Sequence, residues 1–379
     1  MPAVRKVLVV GGGIGGLSAA IALRKRGVEV DVVEVNPKWD VYGVGIIQPA
    51  NQIRALAAIG LGERCVQEGY PFEGSRFFDS QGNLLADVPF ERIAGPEYPP
   101  MNGITRPRLH RILQEAVKES KAGVRTGLTV SALEQRDDGV EVEFTDDTSG
   151  RYDLVIGADG LYSLIRSLVF DPDLEPEFSG QVVWRYNVPR LPEVDRICVF
   201  QGMKRKAGFV PLAPDLMYIL LIEKPPSDSP PGKKLPEDRL AEIFRERLAE
   251  FGGPVAEVRD RYITDSSKVV YRPVETLLVP PPWYRGRVVL VGDAAHATSP
   301  HIGQGASMAI EDAVVLAEEL EKDVPVHEAL EAFMRRRYER CKYVIDVSAR
   351  IGRGEMDPSL GIDAAALTGQ SAVVLAEPI

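Results

Sequence analysis

The pattern Gly11-x-Gly13-x-x-Gly16 constrains this chain more than any other feature, because of what flanks it. Before it runs Val4 to Val10, apolar and β-branched enough for a buried parallel strand. After it, Ile14 to Arg26 has helical periodicity, and Val28 to Val33 reads as a second strand ending at Glu34. Strand, glycine turn, helix and strand predict one βαβ unit of a dinucleotide-binding fold. Glycine removes the Cβ where backbone must turn tightly and approach a pyrophosphate, and the helix behind offers free N–H groups at its positive end. Glu34 stands about 20 residues beyond the turn, where a carboxylate accepts hydrogen bonds from ribose hydroxyls and disfavours a 2′-phosphate. Gly11, Gly13, Ile14, Gly15 and Gly16, with Glu34 and Val35, thus form the expected nucleotide end. The turn alone does not separate FAD from NAD, since both present adenosine, ribose and pyrophosphate.

Two later segments bear on that choice. DLVIGADGLYSLIR, Asp153 to Arg166, places Asp159-Gly160 after a short buried strand, Leu154 to Ile156, and before helix-like Leu161 to Val169. VVLVGDAAH, Val288 to His296, places Gly292-Asp293 at another strand terminus. An aspartate there can hydrogen-bond a polyol chain such as ribityl, which FAD has and NAD lacks. A helix starting near Gly303-Gln304-Gly305 would turn its N–H groups toward negative charge on a reduced flavin ring.

Between these segments the chain changes character. A Gly-rich loop, Gly43 to Gly45, precedes a helical pattern opened by Pro49; Gly74 to Phe78 and Leu84 to Val88 read as a hairpin outside the parallel sheet. After a Pro-rich loop, Arg108 to Ser120 is helical, and Thr129 to Gln135 with Val140 to Phe144 forms another hairpin. Alternating runs at Gln181 to Val188, Ile197 to Phe200, Gly208 to Leu212 and Met217 to Ile222 predict an antiparallel sheet. Pro225 to Pro236 reads as an exposed loop, with the same domain resuming near Lys268. Helices are expected over Gly305 to Leu320 and from His327 to about Arg350, and the tail from Met356 has no strong periodicity. A length of 379 residues exceeds one core of about 100–200 residues. The expected architecture is α/β: a discontinuous Rossmann-like parallel-sheet domain (1–72, 100–175, 282–325), an inserted, mainly antiparallel sheet domain (73–99, 176–281), and a C-terminal helix and tail (326–379).

Composition closes off other classes. A net charge of −10 opposes nucleic-acid binding, which needs a concentrated positive field. The local group Lys204, Arg205 and Lys206 reads as a solvated turn. No apolar run reaches the roughly 18 residues of a membrane span, and the first strand begins almost at Met1, so a cytoplasmic location is expected. Cys65, Cys198 and Cys341 are too few and too scattered for a disulfide framework or zinc site and read as reduced packing residues.

Taken in order, the Gly11 to Gly16 turn, Asp159-Gly160 and Gly292-Asp293 resemble the single-component (class A) FAD-dependent aromatic hydroxylases, which include p-hydroxybenzoate, salicylate, urate and 6-hydroxynicotinate hydroxylases. The resemblance covers roughly residues 4 to 350. It implies that all three segments touch FAD, that Arg106 lies near the FAD phosphates, and that Ile47 and Val130 lie along the cofactor. It also implies that Pro300, Gly303, Gln304, Gly305 and Ala306 sit beside the flavin ring. On this resemblance NADH or NADPH delivers hydride to flavin N5, O2 adds at C4a, and the hydroperoxide oxygenates an electron-rich ring, while the protein excludes water. No second glycine turn is present for the nicotinamide nucleotide, which agrees with its use as a transient co-substrate.

The resemblance further points to Arg185, Lys206, Tyr218 and His301 as groups facing a small aromatic substrate. A cation pairs with a carboxylate or ring oxyanion, and His301 or Tyr218 hydrogen-bonds or deprotonates a phenol. His110, His296 and His327 read as structural. Some hydroxynicotinate hydroxylases carry a histidine where this chain has Ile47, so a base from that loop is not expected. The leading expectation is hydroxylation of an aromatic or heteroaromatic hydroxy acid. A reductase or epoxidase of the same fold, and a non-catalytic flavin sensor, are the alternatives; oligomeric state and the choice of NADH or NADPH stay open.

Overall fold

The computed structural model describes residues 4–41, 43–225 and 235–379, so positions 226–234 of the Pro-rich loop lie outside the described residues. A six-stranded sheet runs in the order Tyr284–Arg285, Val288–Leu290, Leu154–Gly157, Lys6–Val10, Glu29–Glu34, Gly123–Thr126, parallel throughout except at the Tyr284 edge. Val7 to Val10 and Leu154 to Ile156 are buried because both faces of such a sheet are covered, which is why these strands read as unbroken apolar runs. The glycine turn leads into helix Ile14–Arg24, which packs against helix Gly305–Glu321 with Gly15 set close to Ala309. A three-stranded meander, Val130–Arg136, Gly139–Phe144 and Ser149–Tyr152, lies beside this sheet.

The second large sheet has seven strands: Val270–Thr276, Glu177–Pro189, Leu216–Glu223, Arg205–Ala213, Ile197–Gln201, Gly74–Asp79 and Leu84–Pro89. All pairings are antiparallel except Ile197–Gln201 with Gly74–Asp79, so the expected hairpin forms the edge of this sheet. The period-2 alternation of strands gives it two distinct faces. Trp184, Tyr186, Phe200, Phe209, Met217 and Leu221 form one face and pack with Phe244 of helix Leu240–Arg247, with Leu248 that caps it, and with Val255 and Val258 of helix Gly253–Tyr262. The opposite face carries Val183, Arg185, Asn187, Tyr218, Leu220 and Val210, which the strand register places side by side.

Several elements differ from the sequence-based expectations. Gly45–Pro49 is a strand, as are Tyr70–Phe72 and Met101–Thr105, and the three form a small antiparallel sheet wedged against the seven-stranded one. A Cβ at Gly103 would sit 1.9 Å from the Pro211 carbonyl oxygen, so this close approach of two backbones requires glycine. Helices Leu240–Arg247 and Gly253–Tyr262 also went unanticipated, although Ala241, Phe244 and Leu248 have helical spacing. The tail forms helix Ala364–Ala376, anchored by Arg54 to the carbonyls of Ala376 at 2.7 Å and Glu377 at 2.8 Å and by Arg340 to that of Leu375 at 2.9 Å. Among the described residues, no helix is long and apolar enough to cross a membrane.

Candidate active site

The glycine turn is built as its chemistry demands. Gly11 has φ +110°, and a Cβ there would sit 2.3 Å from the Ala158 carbonyl oxygen; at Gly16 it would sit 2.0 Å from the Gly11 oxygen. Nothing lies within 4 Å of a Cβ position at Gly13, which leaves a bare backbone cradle open to a ligand. Glu34 closes one end: its Oε2 accepts from the Gly12 N–H at 2.7 Å and its Oε1 from the Asn36 N–H at 2.8 Å. Val35 is 66% exposed beside it.

Gly12 was not anticipated, yet a Cβ there would meet the Trp39 indole nitrogen at 2.4 Å. Trp39 Nε1 donates to the Gly12 carbonyl at 3.1 Å, and His110 Nε2 lies 2.8 Å from the same oxygen. Burial holds His110 below its ordinary pKa, so the neutral ring donates from Nε2.

The two strand-end aspartates have different surroundings. Asp159 accepts from Ser163 Oγ at 2.5 Å and from the Ile165 N–H at 3.0 Å, so it caps helix Leu164–Val169 from outside. Asp293 has no hydrogen-bond partner among the described residues. Gly292 before it adopts the left-handed φ of +60°, and Asp293 stays open to water. Burial raises its pKa, and His296 and Arg106 oppose that rise. Arg106 is exposed, has no side-chain partner among the described residues, and also adds its charge to the field at Arg185. Cβ positions at Gly15 and Gly292 fall 3.4 Å and 3.1 Å from the Ala309 methyl, so both loops converge on helix Gly305–Glu321.

Gly303 adopts the left-handed conformation at φ +65° and approaches Ile47, with a Cβ position 3.8 Å from that of Ile47. Pro300, Gly305 and Ala306 are partly exposed along this loop and helix start. The Gln304 side chain turns inward instead, exchanging hydrogen bonds with Asn51 at 2.9 and 3.2 Å. Val130 is 0% exposed, so its side chain belongs to the core and only its backbone remains for a cofactor.

A buried ionic network holds this region from behind. Asp312 accepts from the Gly292 N–H at 2.9 Å, from Arg337 Nε at 2.8 Å and from His296 Nε2 at 2.5 Å. Arg337 also donates to Glu311 at 2.7 Å, and Glu311 accepts from Arg340 and Asn51. Burial opposes charge on both members of the His296–Asp312 pair, but each stabilises the other. His296 is raised well above its ordinary value and Asp312, also beside Arg337, is lowered to about 2. His296, Asp312 and Cys341 lie within 4.8 Å of one another, a metal-like spacing, yet the Arg337 guanidinium donates to both Asp312 and Cys341 and already supplies the cation.

On the facing sheet, Arg185 and Tyr218 share one face, and neither side-chain polar group has a hydrogen-bond partner among the described residues. Burial lowers the pKa of Arg185 and raises that of Tyr218, and the two interact. The Tyr218 ring packs against Gly45, where a Cβ would fall 2.8 Å from it. Asn187, directly across from Tyr218, was missed; its Oδ1 is buried without a partner. Lys206 and His301 are not adjacent to this pair but meet at Glu355, a residue with no sequence signal: Lys206 forms an ion pair with it, and His301 Nε2 lies 3.2 Å from its Oε2. Arg205 pairs with buried Glu223 at 2.6 Å, so the basic triplet is not a simple solvated turn.

A glycine cradle between strand and helix, with a carboxylate free of protein partners at a second strand end and a sheet with unpartnered polar groups, fits the class of flavin-dependent oxidoreductases. The chain belongs to the FAD binding domain family, whose model matches residues 5–348, and FAD is its cofactor. It is 34% identical over 376 residues to YetM of Bacillus subtilis, covering 98% of this chain and 99% of that one. It is 30% identical over 351 residues to an FAD-dependent urate hydroxylase of Klebsiella pneumoniae, covering 90% and 88%. The crystal structure of Klebsiella pneumoniae HpxO complexed with FAD and uric acid matches with a TM-score of 0.82 at 28% identity, covering 99% of this chain and 93% of that one.

Proposed function

We propose that the protein is a monooxygenase that hydroxylates a small aromatic or heteroaromatic hydroxy acid with NADH or NADPH and O2. The observation that carries this is the pairing of Asp293, a carboxylate without a protein partner, with a facing sheet whose Arg185 and Tyr218 are equally unpartnered. FAD, when bound, supplies the redox chemistry: it takes hydride from the nicotinamide and activates oxygen. Gly11 to Gly16 and Glu34 would hold the adenosine diphosphate end, Arg106 the phosphates, and Asp293 the ribityl hydroxyls. The N–H groups at Gly305 and Ala306, with the dipole of a 17-residue helix behind them, favour negative charge at the ring edge.

Arg185 suits a substrate carboxylate or ring oxyanion, because a desolvated guanidinium without a counter-ion gains most from an anion. The Tyr218 hydroxyl, kept neutral by burial, can donate a hydrogen bond to a phenolate or accept one from a phenol. Val210, Leu212, Leu220 and Val270 exclude water around them, which favours transfer of oxygen to substrate over loss of peroxide. In this reading residues 1–72, 100–175 and 282–325 bind FAD, 73–99 and 176–281 carry the substrate face, and 326–379 brace both. The relation to a urate hydroxylase supports a heteroaromatic substrate. The test is NAD(P)H oxidation by the FAD-loaded protein across phenols, hydroxybenzoates and hydroxylated heteroarenes, with product mass read under labelled O2. Substrate-dependent oxidation with one labelled oxygen in the product is expected. No stimulation across the panel would sink the proposal.

A further inference from the structure

Glu355 lies one residue from the end of helix Val326–Met356, more than 140 residues from the strand it touches. Its Oε1 takes the Lys206 ammonium, while its Oε2 lies 3.2 Å from His301 Nε2 and 3.3 Å from Gln181 Nε2. On the other side of the imidazole, His301 Nδ1 is 2.8 Å from Ser299 Oγ. Gly352 makes the arrangement possible, since a Cβ there would fall 3.0 Å from His301 Cε1 and 2.8 Å from Gln181 Oε1. Glu355 and Lys206 also form part of the wall of a cavity of about 350 Å³ lined by Lys204, Lys224, Met356 and Ile362, so the pair stands between His301 and water.

The chemistry of these groups leaves one consistent assignment of protons. Burial alone would raise Glu355, but Lys206 and His301 bring it down to about 2, so it is a carboxylate at any working pH. Burial holds His301 below its ordinary value, so the ring is neutral near pH 7. A carboxylate only accepts, so the ring nitrogen facing it must be the one that carries the proton. Nδ1 is then an acceptor of a hydrogen bond donated by the Ser299 hydroxyl. The Nε2 contact is close but not aligned as a hydrogen bond, which makes it mainly an attraction between charge and ring dipole. The charged groups facing His301 are Glu355 from the helix and Lys206 from the sheet; Ser299 and Gln181 are neutral.

We propose that Glu355 is a positioning residue of the active site, fixing His301 as the Nε2–H tautomer while Lys206 balances the carboxylate charge. This rests on the reading of His301 as a substrate-side group. The test uses FAD-loaded protein labelled with 15N-histidine, whose four imidazoles are separable and whose His301 signal is assigned by its loss in His301→Gln. Wild-type His301 should show a protonated Nε2 and a bare Nδ1. In Glu355→Gln the tautomers should mix and the His301 pKa should fall by about one unit or more, because the opposing charge is gone. Glu355→Asp should restore the single tautomer and so separate positioning from general damage to the fold.

In parallel, the acid limb of kcat/KM for a hydroxybenzoate should move to lower pH by the same shift in Glu355→Gln. An unchanged tautomer and pKa in Glu355→Gln would overturn the proposal. So would a changed tautomer with an unmoved acid limb, since Glu355 would then not serve the reaction. A changed tautomer with no turnover on any aromatic would instead overturn the monooxygenase reading and leave the tautomer assignment standing.

Discussion

Arg337 offers the sharpest test of how the site is braced. It is 0% exposed, and its guanidinium donates to Asp312 at 2.8 Å, to Glu311 at 2.7 Å and to the Met308 carbonyl at 3.2 Å. Arg337→Met keeps the volume roughly constant and removes the cation from between two buried carboxylates. Glu311 would keep Arg340 and Asn51, and Asp312 would keep His296 and the Gly292 N–H. Removing one partner of a buried pair costs about 3–5 kcal/mol, and the surviving partners place this case near the lower end. At about 2 °C per kcal/mol for a chain of this size, Tm should fall by about 6 °C.

The pH dependence carries a second signature of the same change. Asp312 is depressed to about 2 against an ordinary 3.8, so it stabilises the fold above pH 3.8 and loses that contribution as pH falls from 3.8 toward 2. Without Arg337 the depression shrinks, and acid unfolding should begin at higher pH. Thermal melts and urea titrations of the apo and FAD-loaded forms between pH 3 and 8 give both readings. FAD retention should also weaken, because Asp312 anchors the Gly292 turn that presents Asp293. A loss below about 1 kcal/mol, with flavin held as in the wild type, would refute the idea that this network carries the turn.

Three other outcomes are expected. His296 has its pKa raised above 6.5 in the fold, so its contribution is complete below pH 6.5 and fades as pH rises through the raised value. Wild-type stability should therefore decline above pH 6.5 at up to about 1.4 kcal/mol per unit, and His296→Gln should flatten that slope in denaturant titrations. Asp293→Ala should leave apoprotein stability nearly unchanged, because the carboxylate makes no hydrogen bond to the described protein that the change would break. It should weaken FAD binding by about 10- to 100-fold, the worth of one charge-assisted hydrogen bond, and parallel losses of Tm and affinity in fluorescence titrations would contradict this. Gly103→Ala should cost about 1–3 kcal/mol, since its Cβ would drive the strand Met101–Thr105 away from Pro211; an unaltered Tm would show that the approach is not required.

What the sequence determined by itself was local. The Gly11 to Gly16 turn, Glu34 and Gly292-Asp293 were legible because each is a strand end, a turn and a helix start within a few residues, and backbone sterics there admit few residue types. The antiparallel sheet was legible as alternating runs, but Arg185 and Tyr218 were singled out only by the family resemblance, and it is the strand register that puts them on one face. Strands Gly45–Pro49 and Met101–Thr105 were not legible, because the first is bounded by a glycine and a proline that read as loop and both owe their pairing to distant neighbours.

Tertiary structure alone decided which polar groups are already satisfied and which remain free for ligands. Asp159 and Asp293 look equivalent in sequence, yet one is saturated by a helix start and the other meets no donor. Gln304 turns away from the loop that announces it, and Lys206 finds His301 only through Glu355 on a helix far along the chain. Side-chain pairing across such separations leaves no trace in periodicity or spacing, because it depends on where whole elements pack and not on the residues beside each group.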